Sequence, residues 1–249
     1  MGPDSGPPPN LTVPGPRPRP EPPFPPFETF TSNKVVKGAP YSATAITESV
    51  QTLADGAKIT HKSSDNIYRD SEGRTRREQK IDRVGPFLVE GEPRQMVFIN
   101  DVVSGARIFL DPVRRTARKS QSSEGPPPHV AQPPPNAGAR SSESLGKQMI
   151  EGVEAEGTRT TITIPTGKIG NDRPLEIVSE RWESPALQVV VLSKLKDPFV
   201  GETSYRLVNI KNGEPSPELF EIPSDYSIEE GNPDFPPPGA HPKPPRKLE

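Results

Sequence analysis

Residues 41–81 read YSATAITESVQTLADGAKITHKSSDNIYRDSEGRTRREQKI, and the fold is decided by this stretch. Tyr41–Leu53 is rich in threonine and alternates in part between apolar and polar residues. Asp55-Gly56 follows, a two-residue hairpin signal, because both central positions of a tight hairpin turn need positive φ. Lys58–Arg69 returns with Ile59 and Ile67 as apolar points, Ser71-Glu72-Gly73 turns again, and Arg74–Ile81 supplies a third strand. Tyr41–Asp82 is therefore expected to be a three-stranded antiparallel meander.

The same grammar continues along the chain. Gln95–Asn100 is a compact apolar strand, Val103-Ser104-Gly105 turns it, and Ala106–Leu110 returns to a stop at Asp111-Pro112. Thr116–Lys119 adds a short strand. Further on, Leu145–Glu151 and Glu154–Pro165 form a pair, with Thr158–Ile164 strongly β-prone through its threonines and isoleucines. Leu175–Glu183 and Leu187–Leu195 flank a turn at Ser184-Pro185-Ala186, and Thr203–Lys211 closes at Asn212-Gly213. Pro215–Leu219 reads as one helical turn. No segment sustains a 3.6-residue period, so the expectation is all-β. About ten strands, joined mostly by short turns, would form an antiparallel curved sheet or open half-barrel, with at most one or two short helices.

Proline sets the outer limits of that domain. Of 36 prolines, 25 fall in three stretches, Pro3–Pro26, Pro126–Pro135 and Pro233–Pro245. Proline fixes φ and lacks an N–H donor, so such stretches neither join a sheet nor continue a helix. The expected layout is a flexible arm over residues 1–32, one domain over 33–230 with an insert at 120–140, and a tail over 231–249. Arg17–Pro23 carries PxxP spacing that suits a polyproline II ligand, although a spacer is the commoner use of such composition. The 31 basic and 33 acidic residues nearly cancel, which argues against a dedicated nucleic-acid binder. The chain has no cysteine, so disulfides, thiolate metal sites and cysteine nucleophiles are excluded. No apolar run approaches the roughly 18 residues of a spanning helix. The start shows no basic-then-apolar signal segment, yet the chain opens in a proline-rich stretch and closes on Leu248-Glu249. The expectation is a periplasmic or secreted protein whose signal segment lies outside this sequence.

Alternation then assigns faces, because successive side chains on a strand point to opposite sides. Val178 and Trp182 share a face with Glu176 and Glu180. Val189, Val191 and Leu195 lie opposite Val190 and Leu192. Tyr205 and Leu207 oppose Arg206, Val208 and Ile210, and Ile162 and Ile164 oppose Arg159, Thr161 and Thr163. Several strands thus carry apolar residues on both faces. A covering helix, loop or partner is the commoner cause; an apolar ligand cavity on the concave side is the other. The candidate cavity residues are Phe98, Ile108, Leu110, Ile162, Ile164, Val178, Trp182, Val189, Val191, Tyr205 and Leu207. A lone tryptophan such as Trp182 more often fills a core than serves as a ligand platform.

A search for chemistry returns little. His61, His129 and His241 make no zinc-hydrolase spacing, and no nucleophile elbow, phosphate loop or dinucleotide fingerprint occurs. Asp65-Asn66 and Asp70-Ser71-Glu72-Gly73 hold carboxylates near a turn without calcium-loop spacing and read as turn residues; an enzymatic carboxylate site on Asp70, Glu72 and Glu78 is the minor alternative, since clusters of surface acids are rarely catalytic. No catalytic residue, metal site or cofactor is expected. Two basic clusters stand out, Arg74-Thr75-Arg76-Arg77 and Arg114–Lys119. Arg74, Arg76, Arg114 and Arg115 are candidates for an anionic headgroup or polymer, against the plainer reading of a solvated face paired with nearby acids.

Three stretches carry a resemblance: YRDSEGRTRRE at 68–78 with FIND at 98–101, YRLVNI at 205–210, and PELFEIPSDY at 217–226. Together they resemble a family of uncharacterised exported proteins of acidobacterial type, across nearly all of Lys34–Tyr226. More distantly, a meander ending in Leu219-Phe220 and then Pro223 and Tyr226 resembles the LolA/LolB-like lipoprotein carriers. That second resemblance implies an open half-barrel with an apolar cavity under helices; this chain shows no sequence signal for such lid helices, and no functional residue carries over. The combined expectation is a non-enzymatic exported binding module holding an apolar or lipid-like ligand. The alternative is a structural or protein-interaction domain of the cell envelope with proline-rich tethers and an envelope protein as partner.

Overall fold

The computed structural model describes residues 35–84, 87–88, 92–121 and 139–230. The proline-rich arm and tail lie outside these residues, as does the centre of the insert. The insert is shorter than its composition suggested, because Ser120 and Gln121 finish one strand and Ala139 and Arg140 begin another.

Fourteen strands are described. The meander is as read: β1 (Tyr41–Thr52), β2 (Lys58–Arg69) and β3 (Thr75–Ile81). The short β4 (Arg83–Val84) and β5 (Phe87–Leu88) pair only with each other. Then come β6 (Arg94–Asp101), β7 (Ala106–Asp111), β8 (Thr116–Gln121), β9 (Ala139–Ile150) and β10 (Val153–Ile164). β11 (Leu175–Ser184), β12 (Val189–Asp197), β13 (Gly201–Asn212) and β14 (Ser227–Glu230) complete the set, with a 3-10 turn at Pro217–Phe220 where a helical turn was expected. Twelve strands form one curved, open sheet in the order β14-β8-β7-β6-β3-β2-β1-β13-β12-β11-β10-β9. Every pairing in it is antiparallel except β14, which adds parallel to β8 after the chain has crossed the sheet.

Local chemistry places the turns. Asp55 Oδ1 accepts the Ala57 N–H at 3.0 Å, and Gly56 takes φ +86°, the left-handed conformation that glycine adopts without Cβ strain. Gly73 is required twice over: its φ is +89°, and a Cβ there would come within 2.9 Å of both Val35 Cγ1 and the Val36 carbonyl.

Cross-strand partners share a face, so the ladders settle why both faces are apolar. Tyr41, Ala43 and Ala45 line one face with Ile67, Tyr205 and Leu207, here termed the Tyr205 face. These residues pack with Trp182, Leu187, Val189 and Val191 in one core. Val97, Ile99, Ile108, Leu110 and Ala117 form a second core. That second core lies on the other face, since the partners of Arg77 and Phe98 continue the Tyr205 face and Val97 and Ile99 alternate with Phe98. Residues 217–226 cover it through Phe220, Leu219, Ile222 and Tyr226. The sheet therefore holds two half-cores on opposite faces. The covering loop anticipated from alternation exists over β6–β8, and it is the C-terminal segment of the domain.

Candidate functional site

The half of the sheet from β9 to β12 shows two unlike faces. On one, Glu143, Arg159 and Glu180 stand in register across three strands, with Lys194 next in the ladder. Arg159 donates to Glu143 Oε1 at 2.7 Å and to Glu180 Oε1 at 2.6 Å. The hydrogen bonds that it donates to Glu180 and Glu143 hold the Arg159 guanidinium above its ordinary pKa. This is a solvated, ion-paired surface of the kind that contributes little to stability.

The same strands turn a different set to the Tyr205 face. From the core outward, one row runs Ser63, Thr47, Tyr205, Ser193, Arg181 and Thr158, and the next runs His61, Ser49, Thr203, Leu195, Ser179 and Thr160. Beyond them Ile162 faces Ile177, and Ile164 faces Leu175. Hydroxyls thus stand beside an apolar lane, and charges share that alternation: Arg181 pairs with Glu183 at 3.5 Å, Arg140 lies opposite Ile162, and Lys147 pairs with Glu154 and Glu156. Ile164 is buried and the other lane residues are half-buried. Among the described residues no α-helix exists to cover the lane.

Across β1 the face becomes polar. Asp65 is buried and accepts from Arg77 Nη2 at 2.7 Å through Oδ2, while its Oδ1 has no hydrogen-bond partner among the described residues. Next in the ladder, Phe98 meets Phe109 with ring centroids 5.4 Å apart. At the core end of the sheet an open depression of about 430 Å³ lies between Gly38–Pro40, Gly152–Glu154, Ala186–Leu187 and Asn212–Gly213. No group of His, Asp or Glu suited to a metal ion occurs among the described residues.

The candidate cavity residues do not converge on one surface. Trp182, Val189, Val191, Tyr205 and Leu207 are packed in the first core. Ile108 and Leu110 are packed in the second, beneath Phe220, on the face opposite Phe98. Val178 shares the ion-paired face with Glu180. Ile162 and Ile164 belong to the open lane. Trp182 packs in the first core while still alternating with Val178 and Glu180, as the sequence placed it, because β10 and β11 pair without a shift; the one-residue shift beside it lies in β12, at Val191. Leu175, Ile177 and Leu195 were absent from the candidate set, although their register opposite Ile164, Ile162 and Thr203 makes the lane.

The four candidate anion-binding arginines are engaged within the protein. Arg74 donates to Asp70 Oδ2 at 2.5 Å and lies over the Phe220 ring, 5.1 Å from its centroid. Arg76 donates to Glu78 Oε1 at 2.9 Å and to the Leu219 carbonyl at 2.8 Å. Arg115 pairs with Asp225 at 3.5 Å, and Arg114 lies 4.0 Å from Asp111. Three of the four thereby fasten the segment that covers the second core.

No family model matches the chain, and no curated protein matches it. Solved structures do. MucB of Pseudomonas aeruginosa, in a complex with MucA, is 11% identical with a TM-score of 0.42, over 78% of this chain and 59% of that one. An uncharacterised conserved protein from Thermus thermophilus is 11% identical with a TM-score of 0.41, over 77% and 90% of the two chains. A putative outer membrane lipoprotein-sorting protein domain from Vibrio parahaemolyticus is 7% identical with a TM-score of 0.28, over 72% and 88%. The chain spans about three fifths of the length of that MucB chain.

Proposed function

We propose that this domain is a non-enzymatic binding module of the bacterial envelope that holds an apolar or lipid-like ligand against the Tyr205 face. The observation that carries the reading is the apolar lane itself, Ile162 facing Ile177 and Ile164 facing Leu175 beside rows of hydroxyls, on the face opposite the Glu143–Arg159–Glu180 row. Half-buried Ile162, Leu175, Ile177 and Leu195 with no described helix over them leave apolar surface in water, which a ligand would remove at a gain of about 25 cal/mol per Å² buried. An amphiphile would lay its chain along the isoleucines and present hydrogen-bonding groups to the serine and threonine rows. Native mass spectrometry of the full chain after mild purification tests this. A bound species of lipid mass in the wild type, lost from Ile162→Asp and Ile177→Asp, supports it; a clean apo mass after exposure to envelope lipid extract contradicts it.

A specific observation favours the protein-interaction reading as well. β9 is a twelve-residue strand at the edge of the sheet and is exposed along almost its whole length, which is the template that an added strand uses.

A further inference from the structure

The first residue described, Val35, stands against the β2–β3 turn, where a Cβ built on Gly73 would lie 2.9 Å from its Cγ1. Upstream of it the sequence reads Phe24-Pro25-Pro26-Phe27-Glu28-Thr29-Phe30, with a phenylalanine at every third position. Polyproline II has three residues per turn, so a stretch in that conformation puts Phe24, Phe27 and Phe30 along one edge. Such an aromatic edge calls for an apolar surface to lie on.

A matching surface lies within reach of Val35. Past the turn, the Tyr205 face carries Arg77 on β3, Phe98 opposite it on β6 and Phe109 opposite that on β7. Phe98 and Phe109 are half-buried, with ring centroids 5.4 Å apart. Phe98 lies four residues along β3 from Gly73 and one strand across, roughly 14 Å in all. The five residues from Phe30 to Val35 extend about 17 Å, and the eight from Phe27 about 27 Å, enough to take in the further step to Phe109. The opposite face of these strands is already covered, since Val97, Ile99, Ile108 and Leu110 lie beneath Phe220.

Charge agrees with the aromatic fit. On this part of the Tyr205 face Arg77 pairs with Asp65, Arg94 with Asp111 and Arg118 with Glu229. Arg107, exposed and two residues from Phe109, has no carboxylate partner among the described residues. Glu28 is the one charged residue between Phe24 and Phe30.

We infer that residues 24–30 lie across the Phe98–Phe109 pair, with Glu28 toward Arg107, so that the proline-rich arm is pinned to the Tyr205 face by the chain's own phenylalanines. The arm then departs from β6–β7 and closes that part of the face to other partners. The docking does not rest on a ligand in the apolar lane, which belongs to β10 and β11.

The chain has no cysteine, so Thr29→Cys gives the full chain a single nitroxide label. Paramagnetic broadening should erase the amide signals of Phe98 and Phe109. It should leave those of Ser144 and Thr158 sharp, since β9 and β10 lie at the far edge of the sheet. Adding Phe27→Ser and Phe30→Ser should restore the Phe98 and Phe109 signals several-fold, and unchanged shifts elsewhere in the sheet report that the domain is folded. The inference is overturned if Phe98 and Phe109 stay sharp in the labelled parent, or if the serine variants leave them equally broadened. It is overturned also if the broadening appears in chains without the label when the two are mixed, which would make a second copy the occupant. The label reads the arm and native mass spectrometry reads the ligand, so either idea fails separately.

Discussion

Trp182 lies directly across the ladder from Gly157, and its ring occupies the space that a side chain at Gly157 would need. A Cβ built on Gly157 would stand 2.6 Å from Trp182 Cζ3. The glycine is there for space, since its φ is not left-handed. Gly157→Ala should displace the indole and cost about 1–3 kcal/mol, the usual range for overpacking. Urea denaturation followed by the fluorescence of this single tryptophan measures it. An unchanged midpoint would mean that the indole has room to move.

Arg69 is a second keystone. Its guanidinium lies 4.8 Å from the Tyr41 ring centroid, donates twice to the Ala39 carbonyl at 3.0 and 2.8 Å, and donates also to the Leu187 carbonyl. It ties the entry to β1 to the β11–β12 turn. Burial lowers its pKa, against the opposing effect of Tyr41. Arg69→Met keeps the volume but leaves both carbonyls without their donor, at about 1–3 kcal/mol for each unsatisfied group. Arg69→Lys cannot reach both and should recover only part of the loss in the same denaturation assay.

Phe220 closes the second core. It is almost fully buried against Val97, Ile99, Ile108, Leu110 and Ala117. Phe220→Ala should destabilise by about 3–5 kcal/mol, as buried aromatic truncations do. Hydrogen exchange should then quicken in β7, β8 and β14 before β1 and β13, because the two half-cores lie on different faces. Uniform quickening would show one cooperative core instead.

Stability should fall above about pH 10, where tyrosines ionise in the unfolded chain. Burial pushes the Tyr205 hydroxyl far above that value, and it raises Tyr41 against the opposing charge of Arg69. Both groups keep their protons in the folded state while the unfolded state loses them. Their contribution is therefore complete below the unfolded pKa and declines as pH rises toward the folded one. Denaturation midpoints from about pH 9 to about pH 11 should slope downward, and Tyr205→Phe should flatten that slope. A slope unchanged in the variant would assign the alkaline loss to other groups.

Most of the sheet was legible because its turns are written in local chemistry. Asp55-Gly56, Ser71–Gly73 and Ser184–Ala186 each stop a strand where the structure turns. The candidate surface was less legible, for a physical reason. Alternation gives parity within a strand and says nothing of register between strands. The shifts at Trp182/Glu183 and Gly157/Thr158 insert one extra residue into the partner strands, Val191 in β12 and Leu145 in β9, and so change which residues stand opposite one another. Ile108 and Leu110 looked equivalent to Ile162 and Ile164, yet a segment more than 100 positions away covers the first pair. The acids that engage Arg74 and Arg76 sit close by in sequence at Asp70 and Glu78, so that pairing was within reach; Arg115 with Asp225 was not.

The lane on the Tyr205 face is tested most directly by methyl NMR of the isoleucines during titration with a long-chain fatty acid. The resonances of Ile162 and Ile177 should move and saturate, while those of Ile99 and Ile108, sealed beneath Phe220, stay in place. Stationary Ile162 and Ile177 methyls, or movement confined to Ile99 and Ile108, would contradict the account.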